Sequence, residues 1–305
     1  MSDRKKETIL VTGAAGFVGR AVAKALRAAG RRLVLVDSVR SGDPEFPCVV
    51  CDISDAAQIR RVFESERIDG IVHLAAVLPT AAQREPARAT RVNVHGSLNL
   101  LTLAREFGVR RFVFGSSLSI YGTCPSDVVV SESYHATPED HYGETKLIAE
   151  MLGHSFAELK RMEFVSLRIG RVIGSGAQST TSAWRSEIFE FLRETGTREI
   201  RIPYVASERI LLVHVEDVAR AVVTLVEAGR LEHRIYNAPC ESVLVRELKA
   251  WVEELNSNIR VVVGDREAEG NPRRVDWSRF RGEFGFEVVT VREQLERAAK
   301  ANLSG

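Results

Sequence analysis

The sequence has no long apolar run. None approaches the ~20 residues needed to span a bilayer, which argues against a helical membrane protein. The charged opening, Met1 to Glu7, lacks the apolar core of a secretory signal. An excess of one charge sign is also missing. Lys and Arg number 42 against 41 Asp and Glu, so the net charge of +1 points to neither nucleic acid nor an anionic lipid surface as partner. Cysteine is sparse, at four residues. Cys48 and Cys51 have C-x-x-C spacing but sit in the strand-like run Cys48-Val49-Val50-Cys51, with no second pair or His cluster to complete a zinc site. Buried reduced thiols and no metal are expected, and with them a cytoplasmic location. Repeats and low-complexity tracts are absent. What is present, 305 residues with 45% hydrophobic and 27% charged, suits one large globular domain or a domain with a smaller lobe.

The first half alternates short Val/Ile/Leu runs with helical patterns. Strands are expected at Thr8–Thr12, Leu33–Asp37, Val49–Cys51, Gly70–Leu74, Arg111–Gly115 and Phe164–Leu167. Helices are expected over Phe17–Ala29, Asp55–Glu66, Pro86–Phe107 and Tyr142–Lys160. Apolar runs without alternation imply strands covered on both faces, and strand–helix alternation implies an open parallel sheet. The fold class is therefore α/β, a Rossmann-type doubly wound sheet. A Gly/Ser/Thr-rich loop follows at Ser175–Ser182. The expected division is a nucleotide-binding domain over 1–174, rejoined by 210–239, with a smaller substrate lobe from 175–209 and 240–305.

Thr12-Gly13-Ala14-Ala15-Gly16-Phe17-Val18-Gly19 follows a strand and opens a helix, the context a dinucleotide fingerprint requires. Gly13 permits the sharp turn. Gly16 lets backbone N–H groups of the Ala15–Val18 stretch approach a pyrophosphate at the helix N-terminus, and Gly19 lets helix and strand pack closely. Asp37 ends the second strand, where an acid bonds the ribose hydroxyls and repels a 2′-phosphate. This favours NAD over NADP. Asp52 ends the third strand, where its side chain or the Ile53 backbone can meet adenine. A strand-end or helix-capping Asp explains it equally well.

Tyr142-Gly143-Glu144-Thr145-Lys146 places a phenol and an amine four apart on one helix face. An ammonium beside a phenol stabilises phenolate, which can take a proton from a substrate hydroxyl as hydride leaves. Ser117 ends the fifth strand, on the side where open α/β sheets bind ligands, and its hydroxyl can bond the same substrate oxygen.

These stretches resemble the NAD-dependent epimerase/dehydratase family of extended short-chain dehydrogenases/reductases. The resemblance is carried by Thr12–Gly19, Asp37, Asp52-Ile53, His73-Leu74-Ala75-Ala76, Asn93, Phe114–Gly122, Tyr142–Lys146 and Leu167-Arg168 with Val172-Ile173-Gly174, then more loosely by Val213–Ala219 and Tyr236-Asn237. It implies that Tyr142 is the acid/base, that Lys146 holds the nicotinamide ribose and that Ser117 binds the substrate oxygen. Leu74, Ala75 and Ala76 pass along the cofactor, and Asn93 supports sheet and site. His73 and His214 are expected to be structural. The resemblance also implies a homodimer, built by pairing helices Pro86–Phe107 and Tyr142–Lys160 into a four-helix bundle.

The departures narrow the chemistry. Leu118-Ser119 follow Ser117, where family dehydratases carry Asp-Glu, so water elimination is not expected. Arg171 stands where many nucleotide-sugar epimerases have Asn, and Arg209 lies near, one residue out of register with, an Arg of those enzymes. Ser119, Arg171 and Arg209 are the expected substrate contacts, the arginines for a carboxylate or phosphate. The leading reading is an epimerase of a sugar or sugar nucleotide. A one-way dehydrogenase shares the same triad. A non-catalytic dinucleotide sensor is disfavoured, because such relatives usually lack the tyrosine and lysine.

Overall fold

The computed structural model describes residues 7–159, 162–177 and 182–300. Seven parallel strands form the central sheet: β1 (Thr8–Thr12), β2 (Arg32–Asp37), β3 (Val49–Val50), β4 (Gly70–His73), β5 (Arg111–Ser117), β6 (Glu163–Ile169) and, after the short β7 (Arg171–Ile173), β8 (Arg198–Tyr204) and β9 (Arg209–His214), the edge strand β10 (Ile235–Asn237). Their order is β10-β6-β5-β4-β1-β2-β3. From β1 the chain runs out to β2 and β3, then crosses to β4, β5 and β6. The direction of winding thus reverses between β1 and β4. A crevice at the carboxyl ends of such strands is where open sheets bind ligands.

Both faces are covered, which is why the strands read as unbroken apolar runs. On one face α1 (Phe17–Ala28), through Val22, Ala23 and Leu26, packs with Val222 and Leu225. On the other, α2 (Ala56–Ser65) and the later helices bring Ile59, Leu100 and Ala149 against Leu10, Ile71 and Phe112. Asp55 caps α2 by accepting from the backbone of Ala57 and Gln58, a local stop that the sequence itself carries.

The expected helix Pro86–Phe107 is not uniform. Beyond α3 (Pro79–Arg84), it comprises α4 (Pro86–Ala89), a π-helical turn at Thr90–Gly96 and α5 (Ser97–Glu106). The wide turn holds Asn93, whose side chain ties together three backbone and side-chain groups described below. Single π turns cluster at functional sites, and apolar periodicity does not register them. Helix α6 (His141–Leu159) carries the tyrosine and lysine.

The remaining elements are α7 (Trp184–Glu190), α8 (Val215–Glu227), β11 (Glu241–Leu244), α9 (Val245–Leu255), β12 (Ile259–Arg266), α10 (Ser278–Phe284) and α11 (Val291–Lys300). β11, β9 and β7 form one small sheet and β12 with β8 another, around a separate core of Trp184, Ile200, Leu212, Leu248 and Leu295. Two packing details depart from the expected division. Phe280, Phe284 and Phe286 pack on Tyr236 and Leu225 of the nucleotide-binding core, so α10 returns to that core instead of staying in the lobe. β9, expected with the nucleotide-binding domain, hydrogen-bonds β7 and β11. Spatial return of a late segment leaves no trace in local periodicity. Of the expected loop Ser175–Ser182, residues 178–181 lie outside the described residues.

Candidate active site

The glycine turn is shaped by contact as well as by conformation. Gly13 has φ +71° and lies so close to Ala75 that a Cβ would meet its backbone nitrogen at 2.7 Å. A Cβ on Gly19 would sit 2.0 Å from the Gly13 carbonyl. Leu74–Ala76 therefore run directly beside the turn, pinned by Leu74 N–H to Thr12 O (3.1 Å) and Ala75 N–H to Thr12 Oγ1 (3.3 Å). Gly16 is the N-cap of α1, and neither a capping side chain nor an acid covers the first turn of Phe17, Val18 and Gly19. Bare amides at a helix start and a cradle that a Cβ would fill fit a pyrophosphate.

Asp37 sits at the end of β2, as expected, and its Oδ2 accepts from Ala15 N–H at 2.9 Å. The Ala15 amide is thus taken by the protein itself, which fixes the turn to the acid. Replacing Asp37 with Ala should weaken NAD binding and reduce the preference for NAD over NADP, measured by titrating each nucleotide. Tighter binding of NADP by the unaltered protein would refute the assignment. Asp52 is otherwise engaged. Its Oδ1 accepts from the Ser54 backbone (2.9 Å) and hydroxyl (2.7 Å), a local turn at the strand end, while the cap of α2 is Asp55. The Ile53 side chain is buried under Gly96, and its carbonyl accepts from Asn99.

Ser117, Tyr142 and Lys146 come together across β5 and α6. The Ser117 hydroxyl donates to Ser119 Oγ at 3.1 Å and lies beside the Tyr142 phenol, where it favours the phenolate. Lys146 Nζ donates to the Gly115 carbonyl at 2.7 Å and lies 5.9 Å from the centre of the Tyr142 ring. Its electrostatics differ from the expected lowering of the tyrosine. Burial pushes the Tyr142 phenol up to about 12, with the Ser117 hydrogen bond opposing and Asp140 adding to the rise. Burial likewise pulls the Lys146 ammonium down to about 7. Each ion alone is disfavoured in this dry pocket, while phenolate beside ammonium offsets both penalties.

Asn93 braces this group. Its Oδ1 accepts from Val77 N–H (2.7 Å), and its Nδ2 donates to Val77 O (3.1 Å) and Thr145 Oγ1 (3.0 Å). Thr145 in turn donates to the Tyr142 carbonyl. His73 is structural, as expected. Ser97 gives its proton to Asn93 O, so it accepts from His73 Nε2, and Thr12 donates to His73 Nδ1 at 2.7 Å. Burial holds this imidazole near 3, hence neutral. His214 caps α8 through the Glu216 amide.

The expected substrate contacts divide. Ser119 is buried beside Ser117 and receives Asn271 Nδ2 at 3.4 Å. Arg171 is buried at the start of β7, and Ser117 pairs in register with Ile169 only two residues earlier. Arg209 instead donates to the Ser242 carbonyl on β11 (2.9 Å), and no described contact joins it to the Ser117–Tyr142 group. Asn271 carried no sequence signal, because it reaches Ser119 through the lobe's tertiary packing.

A doubly wound sheet with this glycine turn, strand-end acid and Ser–Tyr–Lys group is the arrangement of the extended short-chain dehydrogenase/reductase class. A model described as the NAD dependent epimerase/dehydratase family matches residues 9–238, and the chain belongs to that family. It is 35% identical over 175 residues to UDP-glucose 4-epimerase of Lacticaseibacillus casei, a match covering 55% of this chain and 52% of that protein. The matched stretch thus spans about half the length of that relative. It is 26% identical over 300 residues to the mitochondrial L-threonine 3-dehydrogenase of Bos taurus, covering 93% of this chain and 79% of that one. Among solved structures, MoeE5 in complex with UDP-glucuronic acid and NAD superposes with TM-score 0.80 at 29% identity, covering 95% of this chain and 96% of that one.

Proposed function

We propose that the chain is an NAD-dependent epimerase acting at a carbinol of a sugar or sugar nucleotide. The observation that carries this is the buried Ser117–Tyr142–Lys146 group at the carboxyl ends of the strands, beside the glycine turn. Gly13, Gly16, Gly19 and Asp37 would hold NAD, with Leu74–Ala76 along one side. NAD supplies the hydride acceptor and donor when bound. Ser117 orients the substrate oxygen, Tyr142 takes and returns its proton, and Lys146 steadies the charge that forms on the phenol. An anionic relative such as UDP-glucuronic acid, held by MoeE5, suits the arginine at position 171.

One-way dehydrogenation is the second reading, favoured by the near full-length match to a threonine dehydrogenase. The two differ in what accumulates. An epimerase returns its hydride, so absorbance of NADH stays flat while the product epimer appears by NMR. Stoichiometric NADH would overturn the epimerase reading in favour of the dehydrogenase.

We further propose a cytoplasmic homodimer. No helix among the described residues is long and apolar enough to cross a membrane. Helices α5 and α6 pack side by side and expose Leu98, Ile148 and Met151, an apolar patch suited to a two-fold interface. Leu101 and Leu147, on the same helices, lie in the core or against it. Light scattering should give twice the chain mass at micromolar concentration, and Met151→Glu should shift it toward one. A monomer for the unaltered protein would refute the dimer.

A further inference from the structure

Two neighbouring arginines of the lobe have no carboxylate partner among the described residues, and the first of them follows Ile169, the register partner of Ser117, by two residues. Arg171 is 8% exposed at the start of β7, and Arg185 lies in the first turn of α7. Tyr204, at the end of β8, sits between them. Its ring lies 5.6 Å below the Arg171 guanidinium, and its side chain lies beside Arg185, where it partly offsets the penalty of burial. Arg171 makes one long protein hydrogen bond, 3.4 Å to the Glu269 carbonyl. The Arg185 Nε is buried with no hydrogen-bond partner. The other buried arginines are paired: Arg168 with Glu150, and Arg31 with Glu7 and Glu227. Neither Arg171 nor Arg185 has such a carboxylate among the described residues.

Burying two guanidiniums together is costly, first by desolvation and then by mutual repulsion. Burial and the neighbouring Arg171 pull Arg185 down to about 10. An anion between them would relieve both penalties and fill the open Nε position. Arg171 also shares a loop with Ser119, the neighbour of Ser117. Glu269 touches Arg171, and Asn271, two residues on, reaches Ser119. That loop is fastened by the Arg273–Glu208 ion pair at 2.6 Å and by Gly270 N–H to Thr123 Oγ1 at 2.8 Å, so its position is defined.

We infer that Arg171 and Arg185 together bind an anionic group of the substrate, a carboxylate or a phosphate, and so select an acidic substrate over a neutral one. The inference deepens the proposed function and rests on its placement of the reacting carbinol at Ser117 and Tyr142. Arg185 supplies Nε to this group and Arg171 a second fork, the arrangement by which guanidinium recognises planar oxyanions.

The test is thermal melting at fixed ionic strength with NAD present, using inorganic phosphate, glucuronate, glucose 1-phosphate and glucose as probes. At least one of the anionic probes should raise the melting temperature where glucose does not. A shift with glucuronate alone identifies a carboxylate, and a shift with the phosphates alone identifies a phosphate. Arg171→Met and Arg185→Met should each weaken that binding roughly 10- to 100-fold, as expected for loss of a charged hydrogen bond. Arg185→Lys, which keeps the charge but not the fork, should fall between. Anions that stabilise the parent and both Met variants equally, or that stabilise none of them, overturn the inference. Should the Met variants not fold, equal shifts for glucuronate and glucose on the parent protein overturn it alone. Tyr142→Phe should keep the anion shift. An intact shift without hydride transfer in the parent would therefore refute the catalytic reading and leave this one standing.

Discussion

Tyr142→Phe should lower single-turnover hydride transfer by about 10²–10⁴-fold, the usual contribution of a positioned proton donor and acceptor. The ring and its packing against Ala82, Ala89 and Val77 survive the change, so the fold should hold. NAD affinity should change little, because only the phenolic oxygen is removed. The Ser117 hydroxyl loses a partner but keeps Ser119. Ser117→Ala should cost less, since one substrate hydrogen bond goes while the base remains. A folded Tyr142→Phe protein with near-normal transfer would remove the mechanism.

Lys146→Met should act in two opposite directions. Turnover and NAD affinity should both fall, because the ammonium beside the phenol and the ribose contact implied by the family resemblance are lost together. Stability of the cofactor-free protein should rise at neutral and lower pH. The sign follows from linkage. In the folded chain the Lys146 ammonium titrates at about 7, well below its ordinary value of 10.5. Between those values the unfolded chain holds a proton that the folded chain lacks, so the parent gains stability as pH rises through that window. Below about pH 7 both states are charged and the burial penalty is complete, on the order of a few kcal/mol. The Met variant carries none of it. Its melting temperature should exceed the parent's most at pH 6–7, with the gap closing toward pH 10. A gap independent of pH would mean that Lys146 is not a buried, depressed amine. Sites that keep such a group give up stability for chemistry.

Much of this site is legible in the sequence alone, for a physical reason. The glycine turn, the strand-end acid and the tyrosine–lysine spacing are local. Gly13 needs a positive φ, Gly19 needs a missing Cβ, and residues four apart on a helix share a face. Each constraint lies within a few residues of chain and so marks the sequence directly. The buried parallel strands were readable for the same reason, through apolar runs covered on both sides.

Other features depended on residues far apart in sequence. The position of Arg209 was decided by the Ser242 carbonyl on β11, 33 residues away. The π turn around Asn93 exists to let one amide reach Val77 and Thr145, contacts 16 and 52 residues away. Nor did Y-x-x-x-K reveal that burial, and not the lysine's charge, dominates the tyrosine's proton affinity. Desolvation is set by every atom packed around a group. The sequence by itself determined a dinucleotide fold with a Ser–Tyr–Lys group, because those signals are short-range. Only the tertiary structure decided the electrostatics of that group, brought Asn271 to Ser119 and gathered Arg171, Arg185 and Tyr204 together, because burial and convergence depend on the packing of the whole chain.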